Sequence, residues 1–210
     1  MEINEKELNR LNKMLEYENK LYEDNKYIAG IDEVGRGPLC GPVVTCVVVL
    51  EKGKLIEGVN DSKKVSEKKR NLLYDKILDS VVDYSIGIVD EKVIDDINIL
   101  NATKLAMKQC VNDLKIKPTH ILVDAVTKLD IDIPYTSIIK GDMKSYTIAC
   151  ASIIAKVYRD RLMEEYDKIY PEYDFKSNKG YGTKKHVEAI EKYGLTKIHR
   201  RSFCKKFNKE

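Results

Sequence analysis

The 210-residue chain has no tryptophan, three phenylalanines and three histidines. His120, His186 and His199 lie far apart in sequence, so a histidine-based metal centre is not expected. The five cysteines (40, 46, 110, 150 and 204) are odd in number, and none forms a C-x-x-C pair. Scattered reduced thiols in a cytosolic protein fit that pattern better than a disulfide frame or a zinc site does. No apolar run approaches the roughly 20 residues that a membrane helix needs. Residues 1–10 are charged and lack the apolar core of a secretory signal, so none is expected. Nucleotide-binding fingerprints are missing as well. A G-x-G-x-x-G motif starting at Gly35 would need glycine at 40, where Cys40 stands, and no G-K-[ST] follows.

What is present points to one α/β domain. Hydrophobic residues make up 43% and charged residues 34%, enough for a real core. The net charge of +3 conceals an asymmetry: residues 176–210 hold eleven Lys/Arg against three Asp/Glu, +8, which leaves −5 on residues 1–175. A basic end beside an acidic body suits a polyanionic partner, although a solvated tail would look the same. Residues 5–22 read as an amphipathic helix with Leu8, Leu11 and Leu15 on one face. Strands are predicted at 27–32, 43–50, 81–89, 120–124 and 135–139. The β-branched run VVTCVVVL (43–50) reads as buried. Helices are predicted from Ser66 to Leu78, over 98–114 with Leu100, Met107, Val111 and Leu114 on one face, from about Ser145 to Tyr170, and around 183–193.

Carboxylates recur at strand ends. Asp32 and Glu33 close the first strand, Asp124 closes the strand at 120–124, and Asp142 follows the strand at 135–139. Sites in α/β sheets gather at such ends, where loops diverge. Acids there also serve as plain turn caps. Converging carboxylates repel and need a compensating charge, which hard divalent cations supply to all-oxygen donors. Such a site suits metal-assisted phosphodiester hydrolysis. The loop after Glu33 (GRGPLCGP) could offer bare backbone N–H groups to a ligand.

These blocks together resemble one known family. GIDEVGRGPLCGPVV (30–44), DSKK (61–64), LVDA (122–125), KGD (140–142), ASIIAKVYRD (151–160), KGYGTKKH (179–186) and HRRSF (199–203) are similar to ribonuclease HII, in order and over nearly the whole chain. The arginine of the GRG triplet separates the pattern from the sister ribonuclease HIII. The resemblance implies a ribonuclease-H-like fold: a mixed five-stranded sheet flanked by helices, with a C-terminal helical part. Residues 1–24 lie outside the resemblance; a helix there could pack on the catalytic domain (25–210) or contact nucleic acid, and packing is expected because Leu8, Leu11 and Leu15 need cover. The implied activity is hydrolysis of RNA in RNA/DNA hybrids and nicking of duplex DNA 5′ of an embedded ribonucleotide, leaving a 3′-hydroxyl and a 5′-phosphate. Two Mg²⁺ or Mn²⁺ ions would sit on Asp32, Glu33, Asp124 and Asp142. Gly35, Arg36 and Gly37 would read the ribose 2′-hydroxyl, and Tyr181 would stack on the neighbouring sugar. Ser62, Lys63, Lys64, Lys140, Ser145 and Lys184, with Lys185, would contact phosphates. Arg159 and Asp160 would form a structural ion pair, and His186 and His199 would be structural or lie at the substrate's edge. A monomer with no membrane association is expected. The rivals are another nuclease of the same fold, such as a junction resolvase, and a catalytically impaired hybrid-binding module.

Overall fold

The computed structural model describes residues 3–22 and 27–207. In chain order the elements are α1 (Glu5–Met14), α2 (Glu16–Leu21), β1 (Tyr27–Val34), β2 (Val43–Glu51), α3 (Glu67–Leu78), β3 (Asp83–Val89), α4 (Glu91–Asn112), β4 (His120–Asp124), β5 (Tyr135–Ile138), α5 (Gly141–Lys144), α6 (Tyr146–Ile169), α7 (Phe175–Asn178) and α8 (Lys184–Tyr193). The expected mixed sheet is present, with strand order β3-β2-β1-β4-β5. β1 pairs antiparallel with β2 and parallel with β4. Among the described residues no helix is long and apolar enough to cross a membrane.

The β2 run is apolar on both faces because both faces are covered. Cys46, Val48 and Leu50 pack in the cluster with α3 and α6, while Val47 and Val49 pack with Met107, Cys110 and Val111 of α4. Each such valine contributes roughly 1.5–3 kcal/mol over its exposed state. Gly30 of β1 allows the close approach of α6: a Cβ there would lie 2.3 Å from the Thr147 carbonyl carbon.

Three expectations change in detail. The helix expected at 98–114 starts at Glu91 and bends at Asn98 (φ 66°, ψ 164°). The Asn98 side chain accepts from Leu100 N and Asn101 N, so it caps a second helical segment. Leu100 is exposed instead of facing the core, and Ala102 and Ala106 are buried in its place. The N-terminal helix breaks at Leu15, with Leu11 and Met14 in the core and Leu8 exposed. The expected boundary between 24 and 25 falls in 23–26, outside the described residues. What the structure shows on either side is that α1 shares a core cluster with α6.

The C-terminal part packs as a separate aromatic cluster: Tyr173, Phe175, His186 and His199 around Met163 and Cys40. It holds the loop after β1 through Leu39 N to Gly180 O (2.8 Å) and Gly41 N to Ile198 O (2.8 Å).

Candidate active site

β1 and β4 run parallel, with Ile31 opposite Val123, so the next residues, Asp32 and Asp124, emerge side by side at the carboxyl ends of adjacent strands. Asp142 comes from α5, just past β5, whose first residue donates Gly141 N to Asp124 Oδ1 at 2.6 Å. Carboxylate oxygens of Asp32, Asp124 and Asp142 lie within 4.8 Å of one another. Glu33 stands beside them and meets Arg36, with Nη1 to Oε1 at 3.3 Å; its other oxygen is buried without a partner among the described residues.

The electrostatics follow from this crowding. Burial, then the charges of Glu33 and Asp124, hold Asp32 well above the usual carboxylate range. Burial also raises Glu33 against the pull of Arg36, and raises Asp124, with Asp142 adding to the effect. Lys63 reaches Asp142 Oδ2 at 3.4 Å; burial opposes its charge, but Asp142, Asp32 and Asp61 outweigh it and its pKa is raised. Two protein cations thus face four acids at the edge of the cluster. An all-oxygen donor set, an orphaned buried oxygen and carboxyls held above their ordinary range fit a hard divalent cation.

The serines correct the expected phosphate contacts. Ser145 is fully buried: it caps α6 by accepting from Ile148 N and donates to Glu18 Oε1 at 2.6 Å. Ser62 is also buried, and its hydroxyl meets Ser152 Oγ at 2.7 Å; Ser152 in turn hydrogen-bonds Asp32. Ser62 braces Asp32 through Ser152, Ser145 ties α6 to Glu18, and neither buried hydroxyl has a free face toward a phosphate. Lys64, Lys140 and Lys184 are exposed, Lys184 pairing loosely with Glu188 at 3.8 Å.

The loop after β1 is held from within. Arg200 donates to the carbonyls of Gly35 (2.6 Å), Arg36 (3.1 Å), Pro38 (3.0 Å) and Gly41 (2.9 Å). Arg159 donates to those of Cys40 (3.1 Å), Pro42 (3.0 Å) and Lys179 (2.9 Å). The expected Arg159–Asp160 pair is therefore corrected: Arg159 faces carbonyls, and Asp160 pairs with Lys156 (2.6 Å) and Arg70 (3.9 Å). Arg36 and Gly37 are exposed at the loop's tip. A Cβ on Gly37 would meet the Tyr181 ring at 3.5 Å, so the half-exposed tyrosine continues the same surface.

His186 and His199 are buried and bonded to each other, Nε2 to Nε2 at 3.0 Å. Thr196 N donates to His199 Nδ1 (2.9 Å), which puts the His199 proton on Nε2, pointing at His186 Nε2; His186 Nδ1–H then donates to Tyr181 O (2.8 Å). Cys40 Sγ lies with these rings in a group spanning 4.8 Å. All four ring nitrogens are thus engaged in hydrogen bonds, which makes the pair a hydrogen-bonded core beside Cys40. Burial lowers both histidines, His199 to about 4. An unfolded histidine titrates near 6.5, so this neutral pair contributes its full stability above about pH 6.5 and loses it as pH falls toward 4. In a proton NMR titration His199 is expected to stay neutral at pH 5.5; a midpoint near 6.5 would contradict the buried pair.

Comparison with known proteins places the chain. The family model of ribonuclease HII matches residues 29–206. The chain belongs to the ribonuclease HII family. Curated ribonucleases HII of Clostridioides difficile and Acetivibrio thermocellus are 58% and 56% identical over 95% and 97% of this chain, covering 79% and 80% of theirs. The crystal structure of ribonuclease H2 from Pyrococcus horikoshii superposes with a TM-score of 0.74 at 30% identity, over 88% of this chain and all of that one. The protein is a hydrolase, an endoribonuclease of the ribonuclease H type that degrades the RNA of RNA/DNA hybrids.

Four residues that matter here were not singled out for these roles in the sequence. Glu18 has a legible signal, an acid on the Leu11–Met14 face of an amphipathic helix. Asp61 acts locally, accepting from Lys63 N two residues on, whereas Ser152 and Arg200 have no legible signal, because their partners are remote in sequence.

Proposed function

We propose that this ribonuclease HII nicks duplex DNA on the 5′ side of an embedded ribonucleotide as well as cleaving hybrids, leaving a 3′-hydroxyl and a 5′-phosphate. The observation that carries the reading is the convergence of the Asp32, Asp124 and Asp142 oxygens within 4.8 Å, beside the exposed Arg36–Gly37–Tyr181 surface. Asp32, Glu33, Asp124 and Asp142 would hold two Mg²⁺ or Mn²⁺ ions. Bound there, the ions supply a water activated at neutral pH and charge stabilisation for the leaving oxygen. The chain's own part is orientation. The N–H groups of Arg36 and Gly37 meet the 2′-hydroxyl, the group that separates RNA from DNA. The Tyr181 ring covers the next sugar, and a deoxyribose face fits it better than one carrying a hydroxyl. Arg36 and Lys63, each now beside an acid, are free to turn to phosphate once cations neutralise the cluster. Lys64, Lys140, Lys184 and Lys185 would hold the backbone of the duplex. We read the protein as a cytoplasmic monomer of one catalytic unit, a location that the five free thiols suit.

The test is a labelled DNA duplex with one ribonucleotide, incubated with Mg²⁺, Mn²⁺ or EDTA, beside an all-DNA control. One metal-dependent nick 5′ of the ribonucleotide is expected. The Tyr181→Ala variant should cut it about tenfold more slowly, the worth of a stacking contact of roughly 1–2 kcal/mol. Cutting of long hybrids alone would remove the junction-reading role, and hybrid binding without cleavage under either metal would leave a binding module.

A further inference from the structure

Two buried guanidiniums without a carboxylate partner are unusual. A guanidinium stays charged at neutral pH and carries five N–H donors in a fixed fork. Removed from water, it needs compensating negative charge or dipoles. Arg159 and Arg200 are both fully buried, and neither makes an ion pair among the described residues. Their compensation is seven backbone carbonyls, six of them within residues 35–42. Burial lowers both pKa values, Arg200 to about 10; both are cations, because a guanidinium does not lose its proton at neutral pH.

The direction of those carbonyls has a consequence on the other side of each peptide. A trans peptide places its N–H opposite its C=O. With Gly35 O and Arg36 O drawn inward to Arg200, the N–H groups of Arg36 and Gly37 face outward at the exposed tip. Neither has an acceptor among the described residues. The neighbouring Leu39 N and Gly41 N are already taken by Gly180 O and Ile198 O. Gly35 itself is required by the clamp: its φ is +91°, and a Cβ there would lie 2.3 Å from Arg159 Nε. Arg159 also holds Lys179 O, two residues before Tyr181, so the same pair of cations ties the loop to the segment that carries the tyrosine.

We propose that Arg159 and Arg200 are positioning residues for substrate selection: they turn the carbonyls of residues 35–42 inward, aim the Arg36 and Gly37 N–H groups at the sugar of the nucleotide to be cut, and fix that reader in register with Tyr181. This deepens the function proposed above and rests on it.

The experiment compares the parent with Arg200→Lys and Arg159→Lys on two duplexes. One carries a 2′-hydroxyl and the other a 2′-fluoro group at the cut position, with saturating Mn²⁺. An ammonium has its three donors on a single centre and cannot span carbonyls set around a fork. A misaimed reader should lower kcat on the 2′-hydroxyl duplex by about 100-fold. The ratio of 2′-hydroxyl to 2′-fluoro rates should fall about tenfold, the worth of one hydrogen bond. A loss of folded molecules would lower both rates equally and leave the ratio untouched, so an unchanged ratio in variants whose parent discriminates overturns the inference. A parent that cuts both duplexes alike instead overturns the 2′-hydroxyl reading itself. If Arg200→Lys does not fold, Arg159→Lys decides on the same ratio, since it leaves the four Arg200 bonds in place.

Discussion

Asp32→Asn is expected to slow cleavage by about a thousandfold or more while leaving hybrid binding intact. The estimate follows from several kcal/mol of charge stabilisation lost with the cations the site would hold, at about 1.4 kcal/mol per tenfold. The same change should make the metal-free protein more stable. Asp32 is 5% exposed, and burial, then Glu33 and Asp124, already oppose its charge. A carboxyl raised in the folded state weakens folding as pH climbs from its unfolded value through its folded one, so at neutral pH the acid is a burden until a cation arrives. The isosteric amide removes that burden, and Tm should rise by about 2–4 °C for each kcal/mol relieved in a chain this size. Thermal melts in EDTA and in Mn²⁺ check this. The parent should gain roughly 3 kcal/mol at a hundredfold excess over Kd, and the variant far less. An equal Mn²⁺ gain in both proteins would take Asp32 out of the ligand set.

Glu18→Ala should cost about 2–4 kcal/mol of folding stability, since it strands three buried donors at once. Glu18 is fully buried on α2, and its Oε1 accepts from Ser145 Oγ (2.6 Å), Thr147 N (2.9 Å) and Thr147 Oγ1 (2.9 Å). These groups form the first turn of α6, where a carboxylate also meets the positive end of the helix dipole. Burial raises the Glu18 pKa against those bonds, so part of the benefit is offset by desolvation. Glu18→Gln keeps an accepting oxygen and should cost less than half as much. α6 begins four residues after Asp142, so the N-terminal helices clasp the segment that delivers one of the acids. Urea unfolding gives the numbers, and a Glu18→Ala loss below 1 kcal/mol would mean that water replaces the carboxylate.

Much of the molecule was readable from short-range pattern. Short strand-like runs marked all five strands, because a strand's burial is written in a few adjacent residues. Asp32, Glu33, Asp124 and Asp142 were legible as acids at strand ends or just beyond them, and the Gly35–Gly37 triplet as a loop with bare backbone N–H groups. The errors share one cause. Leu100 follows the helical period, but the bend at Asn98 rotates it to solvent. Ser62 and Ser145 look like loop hydroxyls, yet both face inward, toward Ser152 and Glu18. Arg159 sits next to Asp160 in sequence and reaches Pro42 and Cys40, 117 and 119 positions away.

The sequence by itself determined which chemistry the protein carries: acids for hard cations, glycines for an exposed backbone, and a basic end for a polyanion. Only the tertiary structure decided which polar groups lie exposed at the site and which are buried behind it. Arg200 meets four carbonyls of the 35–41 loop across 159 to 165 positions. No local periodicity encodes a partner that distant. It appears only when the sheet, α6 and the C-terminal segment close around the loop and leave those carbonyls nothing else to accept from.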